Sequence, residues 1–291
     1  MIDKSESFRE SDLIEKGYEE AVKFATSHYE NFPVVSFLIP KRLRRHVAVV
    51  YRFARTADDI ADDEALTVAE KYFRLTDFEK SFEKALAGNP ENEFWDALQN
   101  TIREFNLSRE NFLNLLKAFR SDIEMNGFET FADVLNYCSF SANPVGRIIL
   151  ELFDIRDESA SLLSDKVCTA LQLTNFYQDV SRDIMLGRIY ISRDEMEEYS
   201  VTKEQIAEGA IDNSFRMLMQ KQVERTKTMF EEGKGLLNYL SGGLKKEIAW
   251  TILGGEEILK KTEANNYDTL NFRPAINKPD LIRLIFKALR M

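Results

Sequence analysis

Gln172-Leu-Thr-Asn175-Phe-Tyr-Gln-Asp179-Val-Ser-Arg-Asp183, running on to Gly187-Arg188-Ile-Tyr190, is the stretch that decides how the chain is read. Asn175, Asp179 and Asp183 recur every four residues. In a helix a step of four returns to nearly the same azimuth and climbs ~6 Å along the axis. Three oxygen-bearing side chains then form a ladder on one face, with Gln172 one turn ahead. Asn and Asp are poor formers of helix interiors, yet these lie in Val167 to Val180, a run otherwise apolar or uncharged. A buried polar network bonded to neighbouring helices is the plain alternative.

A second stretch, Tyr51-Arg-Phe-Ala-Arg55-Thr-Ala-Asp58-Asp-Ile-Ala-Asp62, repeats the idea with Asp58 and Asp62. Taken alone it also fits a solvated acidic face tied by ion pairs worth tenths of a kcal/mol each. Two acid ladders in one helical chain suggest a shared use. Carboxylate and carbonyl oxygens suit hard cations, and Mg²⁺ binds through a few carboxylates plus substrate phosphates. Facing ladders would hold two or three Mg²⁺ ions on a diphosphate and stabilise the charge that develops as it leaves.

The composition supports a helical reading. Of 291 residues, 44 % are hydrophobic, with 21 Phe and 10 Tyr to supply a core, while 12 Gly and 6 Pro leave long uninterrupted spans that favour helix over a many-turned sheet. A net charge of −10 argues against nucleic-acid binding. Cys138 and Cys168 give neither a disulfide framework nor zinc spacing, so a reducing compartment is expected. Met-Ile-Asp-Lys-Ser-Glu lacks the features of a signal peptide, and no run approaches the roughly 18 apolar residues of a spanning helix. The protein is expected to be cytoplasmic or peripheral to the inner face of the membrane.

In chain order, residues 1–11 read as a loose tail and 12–27 as an amphipathic helix. Pro40 opens the first ladder helix, about 40–63. Helices follow at about 67–87, 91–105, 108–125, 131–140 and 144–153, then the second ladder helix at 157–183. A weakly patterned connection leads to two long helices, 212–240 and 244–263, and a short basic one at 279–291. One all-α domain, 1–291, is expected.

Other groups are less specific. Phe24, Phe32, Phe53, Phe140 and Phe176 are candidates to line an apolar pocket, although most aromatics at helical spacing are core. Arg55, Arg188, Tyr190, Arg273 and Lys278 are candidate phosphate contacts, each against a surface salt bridge. His46 lies among Arg42, Arg44 and Arg45 and is expected to face solvent. Glu-Gly233-Lys-Gly235 is not a dinucleotide fingerprint, and no Walker-type loop occurs.

These motifs resemble those of the squalene/phytoene synthase family over about residues 20–290. The resemblance is carried by Tyr51, Arg55, Asp58, Asp59 and Asp62, by Gln172, Asn175, Asp179, Asp183, Gly187, Arg188 and Tyr190, and by Tyr137-Cys138 with Val145-Gly146. It implies an all-helical isoprenoid (terpenoid) synthase fold with a central cavity, Mg²⁺ as cofactor and a prenyl diphosphate as substrate. Within the family, His28-Tyr29-Glu-Asn31-Phe32-Pro33, Arg55 to Asp62 and Ser141 to Gly146 resemble the bacterial hydroxysqualene synthase branch of hopanoid pathways. Carotenoid-type members usually carry serines at Tyr29 and Asn31 and a glycine at Asn143.

The resemblance implies that presqualene diphosphate ionises and that water captures the rearranged cation to give hydroxysqualene. Asp58, Asp62, Asn175, Asp179 and Asp183 would ligate metal. Arg55, Arg188, Tyr190 and Arg273 would hold phosphate oxygens, and His28, Tyr29, Asn31 and Phe32 would contact substrate. Tyr51, Tyr137 and Gln172 would line the reacting end, with no nucleotide cofactor. Partners would be the substrate, neighbouring pathway enzymes and, through the basic C-terminal helix, a membrane surface. Two rivals stand: condensation of two farnesyl diphosphates to presqualene diphosphate, squalene or a carotenoid precursor, and a non-catalytic helical assembly factor.

Overall fold

The computed structural model describes residues 4–27 and 38–291, with side chains from residue 11 onward. In order come α1 (Lys4–Ser27), α2 (Lys41–Asp62), α3 (Val68–Leu86), α4 (Glu93–Phe105), α5 (Arg109–Asp122), α6 (Phe131–Ser141), α7 (Asn143–Leu152) and α8 (Glu158–Gln178). Then follow α9 (Val180–Asp183), α10 (Arg193–Glu198), α11 (Lys203–Ala207), α12 (Asn213–Gly233), α13 (Gly242–Ala264) and α14 (Lys278–Ala288). No strand occurs among the described residues. Local chemistry sets many of the starts. Thr67 with Glu70, Thr130 with Asp133 and Asn277 with Asp280 each form a reciprocal capping box.

Three differences from the sequence reading have physical causes. Residues 4–11, read as tail, belong to α1, because Lys, Glu, Arg and Phe without Gly or Pro extend a helix readily. The helix read as 157–183 breaks at Asp179, whose φ of −106° and ψ of 13° leave the helical well. The helix read as 212–240 ends at Gly233 and tightens into a 3₁₀ turn, Lys234–Asn238.

Contacts divide the chain into two compact units, the first comprising 1–124 and 147–156, the second 125–146 and 157–291. In the first, α1 packs against α2 and α4, and α2 against α3, α4 and α5. Its centre is aromatic: Phe53 lies 5.2 Å from each of Phe78, Phe82 and Phe112, ring centre to ring centre. Phe53 is therefore core and not a pocket lining. Burying such a ring contributes roughly 1.5–3 kcal/mol. Gly17 lets α1 approach α4, since a Cβ there would stand 1.9 Å from the Glu93 carbonyl oxygen.

His46 is also inside, at 1 % exposure, which corrects the solvent-facing expectation. Helix azimuth decides this, because His46 shares its face with Leu43, Val47 and Val50, while Arg45 beside it reaches back to donate its Nε to His46 Nε2 at 3.3 Å. Its Nδ1 lies 2.9 Å from the Thr101 hydroxyl and 3.2 Å from the Tyr18 hydroxyl. Burial, reinforced by Arg45 and Arg42, pushes its pKa down to about 4, so it is neutral at pH 7.

In the second unit α8 is the axis, packed against α6, α12 and α13. Gly233 explains the glycine pair that was not a nucleotide motif. A Cβ there would meet Val167 Cγ2 at 2.8 Å, so the glycine serves the close approach of α12 to α8.

Candidate active site

The first ladder is built on α2 in the first unit. Ala57 and Ala61 are buried on one face, which turns Asp58 and Asp62 the other way. Asp58 is half-buried and Asp62 exposed. Arg55 bridges the acids, with Nη1 3.4 Å from Asp58 and Nε 2.8 Å from Asp59. Tyr51, one turn earlier, is half-buried, its ring 6.2 Å from that of Phe24.

The second ladder lies at the end of α8 in the second unit. Despite the break at Asp179, the four-residue step survives: the Asp179 amide donates to the Asn175 carbonyl and the Asp183 amide to the Asp179 carbonyl, both at 2.9 Å. Asn175 is exposed, and Gln172, Asp179 and Asp183 are half-buried. Gly187, with φ of +78°, then turns the chain so that the Arg188 amide reaches the Asp183 carbonyl at 2.9 Å. A side chain at that φ would be strained, which accounts for a glycine between Asp183 and Tyr190.

Asp179 has a partner that spacing could not reveal. Arg273, 94 residues on, grips both its carboxylate oxygens, Nε at 2.5 Å and Nη2 at 3.0 Å. Such a two-point, charge-assisted pair fixes geometry as well as charge. The Arg273 loop is also tied down by the residue before Asp179, for Gln178 Nε2 donates to the Pro274 carbonyl at 2.6 Å. Arg273, expected on phosphate, is thus placed within reach of the ladder but on its carboxylate.

Beside this ladder stands an aromatic wall in the same unit. Phe176 and Tyr190 stack nearly parallel, 5° apart with centroids at 3.8 Å. Tyr137 lies 6.1 Å from Phe176, 6.3 Å from Tyr190 and 5.5 Å from Phe140. Tyr190, expected to hold phosphate, has its ring in the wall. Just after the Tyr137 helix, Gly146 at the start of α7 lets that backbone approach α8, for a Cβ there would stand 2.4 Å from Ser164 Oγ and 2.5 Å from Cys168 Sγ. Asn143 is buried and accepts from the Thr169 hydroxyl at 3.0 Å. Burial pushes the Cys138 thiol up to about 12, too high for a nucleophile at neutral pH.

Behind the wall is a buried charged group that sequence reasoning missed. Arg225 holds Glu195 by two bonds, at 2.8 and 3.1 Å, and Gln222 joins Glu195 at 2.9 Å. Burial alone would raise the Glu195 carboxyl, but the bonds from Arg225 and Gln222 outweigh it and hold it at about 2. Its members come from α10 and α12, so no local pattern announces them.

His28, Tyr29, Asn31 and Phe32 lie outside the described residues. Among those described, no three Asp, Glu, His or Cys side chains converge to hold a metal. Mg²⁺ takes one or two carboxylates plus substrate phosphates, so each acid pair by itself, Asp58 with Asp62 and Asp179 with Asp183, has the donor chemistry for a cation that a diphosphate also holds.

The family model for squalene/phytoene synthases matches residues 25–280. The hydroxysqualene synthase of Zymomonas mobilis is 35 % identical over 71 % of this chain and 69 % of its own. The 15-cis-phytoene synthase of Synechococcus elongatus is 26 % identical over 89 % of this chain and 88 % of its own. Among solved structures, squalene synthase HpnC from Alicyclobacillus acidocaldarius superposes with a TM-score of 0.83 at 36 % identity, covering 87 % of this chain and 95 % of that one. The all-helical architecture is that of the isoprenoid synthase fold.

Proposed function

The chain belongs to the squalene/phytoene synthase family, and from that premise we propose that it converts presqualene diphosphate and water to hydroxysqualene and diphosphate. The family consists of prenyltransferase-like enzymes; the particular reaction is our reading. The observation that carries it is the pair of acid ladders, Asp58 and Asp62 on α2 and Asn175, Asp179 and Asp183 on α8–α9, the second running beside an aromatic wall. We read the two units as one synthase domain in which both ladders serve one diphosphate.

Magnesium, bound to the acids, would neutralise the diphosphate oxygens. The protein's own part is to hold and shield. Arg55 and Arg188 would contact phosphate oxygens, and Arg273 would join them on letting go of Asp179. The carbon–oxygen bond then breaks with its electron pair leaving on diphosphate. Tyr137, Phe176 and Tyr190 present π-faces that stabilise the resulting cyclopropylcarbinyl cation, while Tyr51 and Gln172 line the same end. After rearrangement, water adds to the cation and the proton it sheds goes to the departing diphosphate. This route takes no hydride and so needs no nucleotide cofactor. His28, Tyr29, Asn31 and Phe32 complete the substrate contacts in this reading, and the departure from serine at Tyr29 and Asn31 favours one diphosphate over two.

The similarity to phytoene synthases over most of the chain supports a second reading, head-to-head condensation of two farnesyl diphosphates. Purified protein with Mg²⁺, incubated separately with each substrate, distinguishes them. Hydroxysqualene from presqualene diphosphate is expected, whereas a C30 product from farnesyl diphosphate alone would favour the rival.

A peripheral membrane contact also fits. No helix of the described residues is long and apolar enough to cross a membrane. On α14, Leu284 and Ala288 are buried, while Ile282 and Phe286 are more than half exposed on the opposite side. Lys287 and Arg290 flank that stripe, although Arg283 is engaged by Glu257 at 2.8 Å. An anionic bilayer suits such a surface. Flotation with anionic but not neutral vesicles is the expected result, and no flotation with either would reject it.

A further inference from the structure

Phe176 and Tyr190 are next to residues that belong to one buried network. Tyr177, fully buried and one residue beyond Phe176, donates its hydroxyl to Gln222 Oε1 at 2.8 Å. Gln222 donates through Nε2 to Glu195 Oε2 at 2.9 Å. Glu195 also accepts the Ser192 hydroxyl at 3.3 Å, and Ser192 stands two residues beyond Tyr190. Arg225 closes the set, bonded twice to Glu195 and once to Gln222. Its guanidinium lies 3.1 Å from the centre of the Phe131 ring, and Lys221 adds a second cation 3.2 Å from Glu195. The chain is therefore pinned immediately after both members of the ring stack.

A stack of two rings at 3.8 Å with planes 5° apart demands that two backbones hold register to a fraction of an ångström. Ring quadrupoles favour offset-stacked and edge-to-face pairs alike, over a wide range of arrangements. Apolar packing is non-directional, whereas a chain of hydrogen bonds among buried and part-buried groups has few favourable geometries and a steep cost elsewhere. Burying a carboxylate and a guanidinium is weak evidence for stability, since apolar residues of the same volume often do as well. What such a pair supplies is a single alignment.

We propose that Tyr177, Gln222, Glu195 and Arg225, with Ser192, are positioning residues that set the register of Phe176 against Tyr190, and through it the aromatic face offered to the carbocation. The second half rests on the function proposed above; the first half does not. Loss of the register would leave substrate binding nearly intact and change where the cation is quenched.

Two mild cuts test this at opposite ends of the network, Tyr177→Phe and Ser192→Ala. Thr262→Val is the matched control: Thr262 is equally buried in the same unit, but its hydroxyl bonds only the Ile258 carbonyl of its own helix. The substrate-free readout is the ¹⁹F resonance of Tyr190 in protein carrying 3-fluorotyrosine, assigned with Tyr190→Phe, with Phe176→Leu giving the unstacked value. Both cuts are expected to move the Tyr190 resonance towards the Phe176→Leu value while the control leaves it in place. With presqualene diphosphate, both cuts are expected to raise several-fold the share of hydrocarbon by-products relative to hydroxysqualene, with KM little changed. If the two cuts and the control lower the melting temperature alike and none moves the resonance, the network is only a structural cross-link and the proposal falls. If the resonance moves but the wild-type protein turns over no prenyl diphosphate, the positioning role stands and the proposed function falls instead.

Discussion

Lowering the pH should unlock the first unit through His46. Its imidazole is neutral and buried, with a folded pKa of about 4 against an ordinary value of 6.5. Between those values the unfolded chain binds a proton that the folded chain refuses, so stability rises with pH and is lost as the pH falls from about 6.5 towards 4. From pH 7 to pH 5 the loss for this one group is on the order of 1–2 kcal/mol. The packing supports a cost of that size: Arg45 and Arg42 stand near, and Nδ1 is already engaged by Thr101 and Tyr18. Urea unfolding at pH 7 and pH 5 measures it, in a Trp250→Phe background so that Trp95 in the first unit reports alone. His46→Gln keeps a polar group facing Thr101 and removes the titration. The wild type should lose about 1–2 kcal/mol more than His46→Gln over this interval. Equal losses in the two proteins would show that His46 is not held neutral, and the account of that core would be wrong.

The other predictions concern close approach and charge. Gly17→Ala places a methyl 1.9 Å from the Glu93 carbonyl oxygen, a backbone atom that cannot step aside. α1 must separate from α4, at a cost of about 1–3 kcal/mol in thermal unfolding. Gly88→Ala meets nothing within 4 Å, so its loss should come only from its φ of +90° and be smaller. Arg273→Gln removes the cation that occupies both oxygens of Asp179. Manganese titration followed by electron paramagnetic resonance, without substrate, should then show tighter metal binding, and binding of inorganic diphosphate should weaken.

How much of this was legible depended on distance along the chain. The ladders are local, so a step of four sufficed to find Asp58 with Asp62 and Asn175 with Asp179. The long helices followed from hydrophobic spacing, which put 67–87, 91–105 and 244–263 close to α3, α4 and α13, while the short α10 and α11 fell in the stretch read as a weakly patterned connection. His46 was misread because its sequence neighbours are arginines, although Leu43, Val47 and Val50 at i−3, i+1 and i+4 already carried the buried face. The break at Asp179 leaves no sequence trace, and the Arg273 and Pro274 loop bonded to Asp179 and Gln178 there is over 90 residues away in the chain. The Glu195 network was out of reach for the same reason. Tyr177, Glu195, Gln222 and Arg225 meet only after α8, α10 and α12 have packed. Tyr190 was placed among the phosphate contacts by resemblance, and spacing gave no sign that the turn at Gly187 also stacks its ring on Phe176.

The central claim is that both ladders serve ionisation of a prenyl diphosphate, and one measurement addresses it directly. Diphosphate release from presqualene diphosphate with Mg²⁺ is followed for the wild type, Asp58→Asn and Asp179→Asn, with melting temperatures recorded alongside. The account predicts that each substitution lowers kcat by two orders of magnitude or more, roughly the effect of removing one charge-stabilising group from a transition state, while both variants stay folded. Wild-type rates from either variant would contradict it.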